Sequence, residues 1–82
     1  MYEIRTYPEA QVVIDALPAQ ARASYDDVVK VLVLVPENGE PYSKALPDGP
    51  MRTMLFGDTG FVTYLILADQ QLVDVVQVTW VG

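Results

Sequence analysis

The side chains that could do chemistry in this chain are few, because its 82 residues include no histidine and no cysteine. Histidine is the usual general base near neutral pH and the commonest metal ligand, and a cysteine thiolate is a strong nucleophile. Any reaction must therefore use carboxylate, lysine, arginine, tyrosine or hydroxyl groups. The basic residues lie far apart in sequence: Arg5, Arg22, Lys30, Lys44 and Arg52.

Motifs that carry chemistry are absent from the sequence. The glycines of the Gly57–Gly60 stretch lie between two predicted strands and open no helix, so they do not form a phosphate-binding loop. Asp26 and Asp27 are adjacent in a predicted helix, where successive side chains point about 100° apart, so they indicate a solvated face and not an acid/base pair. We expect no cofactor and no metal.

The charge balance disfavours general nucleic-acid binding. Eleven acidic residues against five basic ones give a net charge of −6, which repels phosphate backbones and suits a basic partner surface. At 51% apolar, the chain can build a core, yet 82 residues make a marginal single domain over 1–82, for which a partner or a homodimer is plausible. No apolar run is long enough for a membrane span, and the N-terminus does not look like a signal peptide. We expect a cytoplasmic protein.

Apolar spacing predicts a strand and two helices in the first part of the chain. Residues 2–7 alternate as a short strand, and Pro8 ends it and is well placed to begin a helix over 8–17. A second helix is predicted over 18–35. Its end, Val28–Val35, is rich in β-branched residues and would also suit a strand, but the helical spacing of the preceding residues continues through it.

Residues 36–50 are predicted to form a long loop, because four prolines and two glycines in fifteen positions cannot continue a helix or a central strand. Loops of this length in compact domains often carry binding residues. A mobile surface loop without a function is an alternative that is at least equally supported. Tyr42 and Lys44 are its candidates for specific contacts.

The last part of the chain predicts an antiparallel meander of strands over 51–56, 61–67 and 72–81. Alternation places Arg52 on the same face as Met54 and Phe56. The central strand is apolar on both faces. One face must pack against the helices, and the other must meet something else.

This order of elements resembles the RelE/ParE toxin superfamily, the small toxins of bacterial type II toxin–antitoxin modules. The resemblance covers nearly the whole chain and implies an α+β fold with an N-terminal strand, two helices and a three-strand antiparallel meander. It depends on the element order and on a few residues: Pro8, Ala10, Leu17, Pro18, Arg52, Gly60 and Tyr64.

The resemblance implies a toxin that inhibits translation by ribosome-dependent mRNA cleavage and is neutralised by a cognate antitoxin. In the ParE-like branch of the superfamily the target is DNA gyrase instead. If this chain cleaves RNA, we expect Arg52 to stabilise the phosphate, Tyr64 or Tyr42 to transfer a proton, and Lys44 to orient the RNA backbone. The free face of the sheet would then be the target-facing surface.

Two departures from the superfamily's pattern make catalysis an open question. The stretch Gly60–Tyr64 lacks the usual arginine, and the final strand closes with residues 79–82, without the usual basic tail. Each missing group contributes on the order of 2–4 kcal/mol to lowering such a barrier. The alternative is a non-catalytic protein of the same fold that acts by binding, or that forms a dimer through a sheet edge or through the Val28–Val35 helix face.

Each single candidate also has a structural interpretation. Arg52 could form a surface salt bridge with Asp58 or Glu40. Tyr64 could be a core aromatic with a satisfied hydroxyl group. Trp80 could complete the small core or could be an exposed anchor for a partner.

Overall fold

The computed structural model describes residues 1–82 and confirms the α+β class. The chain forms a five-stranded sheet with two helices on one of its faces. The helices are α1 (Pro8–Asp15) and α2 (Ala19–Leu34), and the strands are β1 (Glu3–Thr6), β2 (Glu40–Pro41), β3 (Met51–Phe56), β4 (Gly60–Leu67) and β5 (Leu72–Trp80). Neither helix is long and apolar enough to cross a membrane.

The predicted meander is present as β3, β4 and β5, and two further strands extend it. The sheet order is β1-β5-β4-β3-β2. β1 joins β5 in parallel, with Ile4 opposite Val73, and the two helices form the crossover between the first strand and the sheet. The N-terminal strand therefore lies at one edge of the sheet and β2 at the other.

Both helices form where the apolar spacing predicts them. α1 begins at Pro8, which needs no hydrogen-bond partner at a helix start, and ends two residues before the predicted position 17. The valine-rich end of α2 is helical because Tyr25, Val28 and Leu32 share one buried face of that helix. Burial of that face outweighs the weak helix preference of the valines.

The core lies between the helices and the face of the sheet that they cover, which we call the inner face. The opposite face is called the outer face. Tyr25 of α2 packs edge-on against Phe56 of β3, with 5.5 Å between ring centroids. Trp80 is partly buried and packs against this core, as the core interpretation of that residue predicted. The buried apolar set is Ala10, Ile14, Tyr25, Val28, Leu32, Phe56, Val62, Tyr64, Val73, Val75 and Val78.

A bulge in β5 keeps apolar side chains on the inner face along its whole length. Thr63 pairs with Gln77, and the next residue, Tyr64, pairs with Val75, so Val76 is an extra residue in β5. Before the bulge Val75 points inward, and after it Val78 does. Simple alternation along β5 therefore fails at this point.

The predicted loop over residues 36–50 contains regular structure. Pro36–Asn38 form a short 3₁₀ turn, and Glu40–Pro41 pair with Thr53 and Arg52 of β3 as the edge strand β2. The prediction of a loop is wrong at these two residues, which form an edge strand. Proline is tolerated in β2 because an edge strand leaves one side of its backbone unpaired.

Candidate functional site

Arg52 lies on the inner face of β3, opposite Tyr64 of β4. Its guanidinium group donates to backbone carbonyls: Nε to the oxygen of Gly49 at 3.1 Å, and Nη1 to the oxygens of Gly39 at 3.3 Å and Glu37 at 3.5 Å. The suggested salt bridge with Asp58 or Glu40 is wrong, because these three carbonyls are the partners of the guanidinium group. Arg52 thus ties both ends of the 36–50 loop to the sheet.

Tyr64 is fully buried, and its hydroxyl donates to the carbonyl oxygen of Pro36 at 2.6 Å. Gly39 packs so closely on this hydroxyl that a Cβ atom there would overlap it. Burial raises the pKa of Tyr64, and the Gly39 backbone hydrogen bond and the Arg52 guanidinium offset only part of that rise. Tyr64 is therefore a neutral donor that holds the start of the loop.

Tyr42 and Lys44 lie further along the same loop, and both are exposed. Tyr42 is 64% exposed and follows β2, where its backbone N–H donates to the carbonyl of Met51 at 3.0 Å. No hydrogen bond or ion pair joins either side chain to Arg52 or Tyr64. Of the four candidate residues, the structure brings only Arg52 and Tyr64 together.

The outer face is free of any covering element, because both helices pack on the inner face. Its apolar side chains are absent from the core cluster and lie in two groups, separated by the row of Thr53, Thr63 and Gln77. Leu55 is 74% exposed and Phe61 37% exposed, while the other apolar members are half-buried. The register places these residues on the outer face: Glu40, Met51, Thr53, Leu55, Phe61, Thr63, Leu65, Leu67, Leu72, Asp74, Gln77, Thr79, Glu3 and Arg5.

A single cation, Arg5, lies among those residues, and it is paired. Arg5 Nε donates to Asp74 Oδ1 at 2.8 Å, and Nη2 donates to Oδ2 at 3.2 Å. This hydrogen bonding and the attraction between the two charges raise the pKa of Arg5 further. The side chain of Arg5 is 56% exposed and that of Asp74 only 8%. The outer face therefore offers no unpaired positive charge to a phosphate.

The Arg5–Asp74 pair was not predicted from the sequence. One signal was present, since Asp74 interrupts the most apolar stretch of the chain. The pairing itself depends on β1 lying parallel to β5, with Arg5 opposite Asp74. Nothing in the local sequence specifies that neighbour.

No protein-family model and no curated protein sequence matches the chain. Solved structures do. The RelBE toxin–antitoxin complex of E. coli contains a chain 13% identical, with a TM-score of 0.81, over 100% of this chain and 99% of that one. The isolated E. coli RelE toxin is 12% identical, with a TM-score of 0.82, over 100% of this chain and 86% of that one.

A third similar structure is the RelBE2 toxin–antitoxin complex of Mycobacterium tuberculosis, in which the matching chain is 21% identical. The TM-score is 0.74, over 98% of this chain and 91% of that one. These likenesses confirm the fold expected from the sequence. The chain has the RelE fold over essentially its whole length.

Proposed function

We propose that this protein is the toxin of a type II toxin–antitoxin module, held by a cognate antitoxin, and that it acts on its target by binding. The observation that supports the toxin assignment is the full-length likeness to chains from structures described as RelE toxin and RelBE complexes. The domain spans 1–82, needs no cofactor and works in the cytoplasm.

Binding is favoured over RNA cleavage by the geometry of the two matched residues. Cleavage of a phosphodiester needs a cation at the phosphate and groups that transfer protons. Arg52 is engaged by the carbonyls of three loop residues, and the hydroxyl of Tyr64 is buried against Pro36. Both residues hold the loop in place, and the one cation on the outer face, Arg5, is paired with Asp74.

Ribosome-dependent mRNA cleavage is the second candidate function. The observation in its favour is that Tyr42 and Lys44 are exposed in a loop that pairs with the strand carrying Arg52. In this scheme Arg52 stabilises the phosphate, Tyr42 or Tyr64 transfers a proton, and Lys44 orients the RNA. The loop would have to release the guanidinium of Arg52 before that residue could reach a phosphate.

The binding mode also fits a protein target such as DNA gyrase, on which ParE-like toxins act. A face with apolar side chains, whose one cation is paired, suits contact with a protein better than contact with a nucleic acid. Inhibition of gyrase and binding to an antitoxin are therefore two forms of the same proposal. In both, the outer face is the surface that contacts the other protein.

Growth of bacteria after induced expression tests the toxin proposal. Wild-type protein is expected to arrest growth, and Leu55→Asp, which places a charge on the exposed outer face, is expected to abolish the arrest without unfolding the protein. Leu34→Asp is the matched control, because Leu34 is 66% exposed but lies on α2, away from the outer face. Normal growth of cells expressing soluble wild-type protein would contradict the proposal.

A further inference from the structure

The outer face combines an apolar patch with acidic edges. Leu65 and Leu67 lie at the end of the central strand β4, flanked by Leu72 of β5 on one side and Met51 of β3 on the other. An exposed apolar patch on a sheet face that no other element covers is typical of a protein-binding surface. The edge strands β1 and β2 add charged side chains to this surface.

Glu3 and Glu40 lie on the two edge strands of the same face. Glu3 of β1 is opposite Leu72, and Glu40 of β2 is opposite Thr53, so both carboxylates belong to the outer face. Both residues are exposed, and neither has an ion-pair partner. Because Arg5 and Asp74 cancel each other, the outer face carries two uncompensated negative charges and no uncompensated positive charge.

By strand register, no other cationic side chain lies on the outer face. Arg22 and Lys30 are paired with Asp26 and Asp27 on α2, Arg52 is held on the inner face, and Lys44 is an exposed residue of the 36–50 loop. Eight of the eleven acidic residues have no ion-pair partner. A second copy of the chain would bring the same negative charge to the interface, and RNA would be repelled in the same way.

We propose that the outer face binds a cationic amphipathic protein segment, in which apolar side chains cover Leu65, Leu67 and Leu72 and flanking lysines or arginines meet Glu3 and Glu40. This inference rests on the proposed function, since it names the chemistry of the partner that a binding protein would engage. Apolar contact supplies most of the affinity. The two carboxylates select the sign of the partner's charge.

The test measures binding of a synthetic amphipathic peptide of leucine and lysine by calorimetry, beside the same peptide with every lysine replaced by glutamate. The lysine peptide is expected to bind and the glutamate peptide not. The double variant Glu3→Lys/Glu40→Lys is expected to weaken binding of the lysine peptide about tenfold. The matched control is Glu9→Lys/Asp15→Lys, which makes the same charge change on α1 and is expected to leave the affinity unchanged.

Amide chemical shifts locate the bound peptide. Changes confined to outer-face residues of β3, β4 and β5 are expected, and circular dichroism checks that both double variants are folded. Equal weakening by the two double variants would overturn the proposal, because binding would then reflect net charge alone. So would an absence of binding, binding of an oligouridylate in place of the peptide, or a wild-type dimer that Leu55→Asp dissociates.

Failure here is distinguishable from failure of the proposed function. Growth arrest that depends on Leu55, together with no affinity for the lysine peptide, would reject only the cationic partner. The toxin proposal would stand in that case. Absence of growth arrest would reject the toxin proposal, whatever the peptide result.

Discussion

The two faces of the sheet use neighbouring residues of β3 and β4 in opposite ways. On the inner face, Arg52 lies opposite Tyr64, and both side chains bond to backbone carbonyls of the 36–50 loop. One residue further along, Thr53 lies opposite Thr63 on the outer face, with no group suited to acid/base work. Strand alternation, and not residue type alone, decides which side chains can meet a ligand.

The difference also separates side chains that hold the loop from side chains that stay free of such contacts. Arginine and tyrosine are residues that catalysis often uses, but here their donors satisfy carbonyls of a proline-rich loop that forms few regular hydrogen bonds of its own. The outer face keeps its apolar side chains free. We therefore expect inner-face changes to affect stability and outer-face changes to affect binding.

Truncation of a leucine should give the largest contrast between the two sides. Leu32 is fully buried under the inner face, whereas Leu55 is 74% exposed on the outer face. Leu32→Ala is expected to lower the free energy of unfolding by about 2–5 kcal/mol, since it leaves a cavity. Leu55→Ala should change it by no more than about 0.5 kcal/mol. Urea denaturation measures both, and similar losses would show that the outer face is covered.

The second largest effect is expected from alkaline pH, which should lower the free energy of unfolding through Tyr25, a core residue that packs on the inner face. Burial raises the pKa of Tyr25 to about 12 from an ordinary 10.0, so the unfolded chain loses this proton before the folded one does. Stability is therefore fully present below pH 10 and falls as pH rises towards 12, by on the order of 2 kcal/mol. Denaturation midpoints across this range should show the fall. In Tyr25→Phe the decline should be smaller, and an unchanged decline would contradict this explanation.

Loss of the Tyr64 hydroxyl should have a somewhat smaller effect. Tyr64→Phe removes the hydrogen bond to Pro36 and leaves that carbonyl with only the long 3.5 Å bond from the Gly39 N–H, which costs about 0.5–1.5 kcal/mol. Tyr25→Phe is the matched control at neutral pH, because Tyr25 is also buried but no hydrogen bond of its hydroxyl is present. Thermal denaturation compares them. Equal stability of the two variants would mean that the Tyr64 hydroxyl does not hold the loop.

The smallest difference is expected between two variants of the outer-face ion pair, where the order of their stabilities is informative. Arg5→Met leaves the nearly buried carboxylate of Asp74 without its partner. Asp74→Asn instead leaves Arg5, which is more than half exposed and can be hydrated. Arg5→Met should therefore be the less stable variant at neutral pH. The opposite order in urea denaturation would show that Asp74 is hydrated in solution.

The sequence was sufficient to predict the helices and strands whose residue patterns lie within one segment of the chain. Apolar spacing and Pro8 located both helices to within two residues, and the turn residues located the meander. Alternation also placed Arg52 correctly with Met54 and Phe56. These features depend on periodicity within a segment of the chain.

Features that depend on distant neighbours were not predictable. The parallel pairing of β1 with β5, the bulge at Val76 and the edge strand in the proline-rich loop all need partners far away in sequence. The partners of Arg52 are backbone carbonyls, which every residue possesses, so no residue type marks them. The roles of Tyr42 and Lys44 stay predictions.

The most direct test of the central claim, that this RelE fold acts by binding and that its Arg52 is structural, is primer extension on mRNA from a cell-free translation reaction. Wild-type protein and Arg52→Ala are added separately, and a known ribosome-dependent nuclease serves as the positive control. We expect full-length mRNA with both proteins. Ribosome-dependent cuts with the wild type that disappear with a folded Arg52→Ala variant would contradict the account and establish a nuclease.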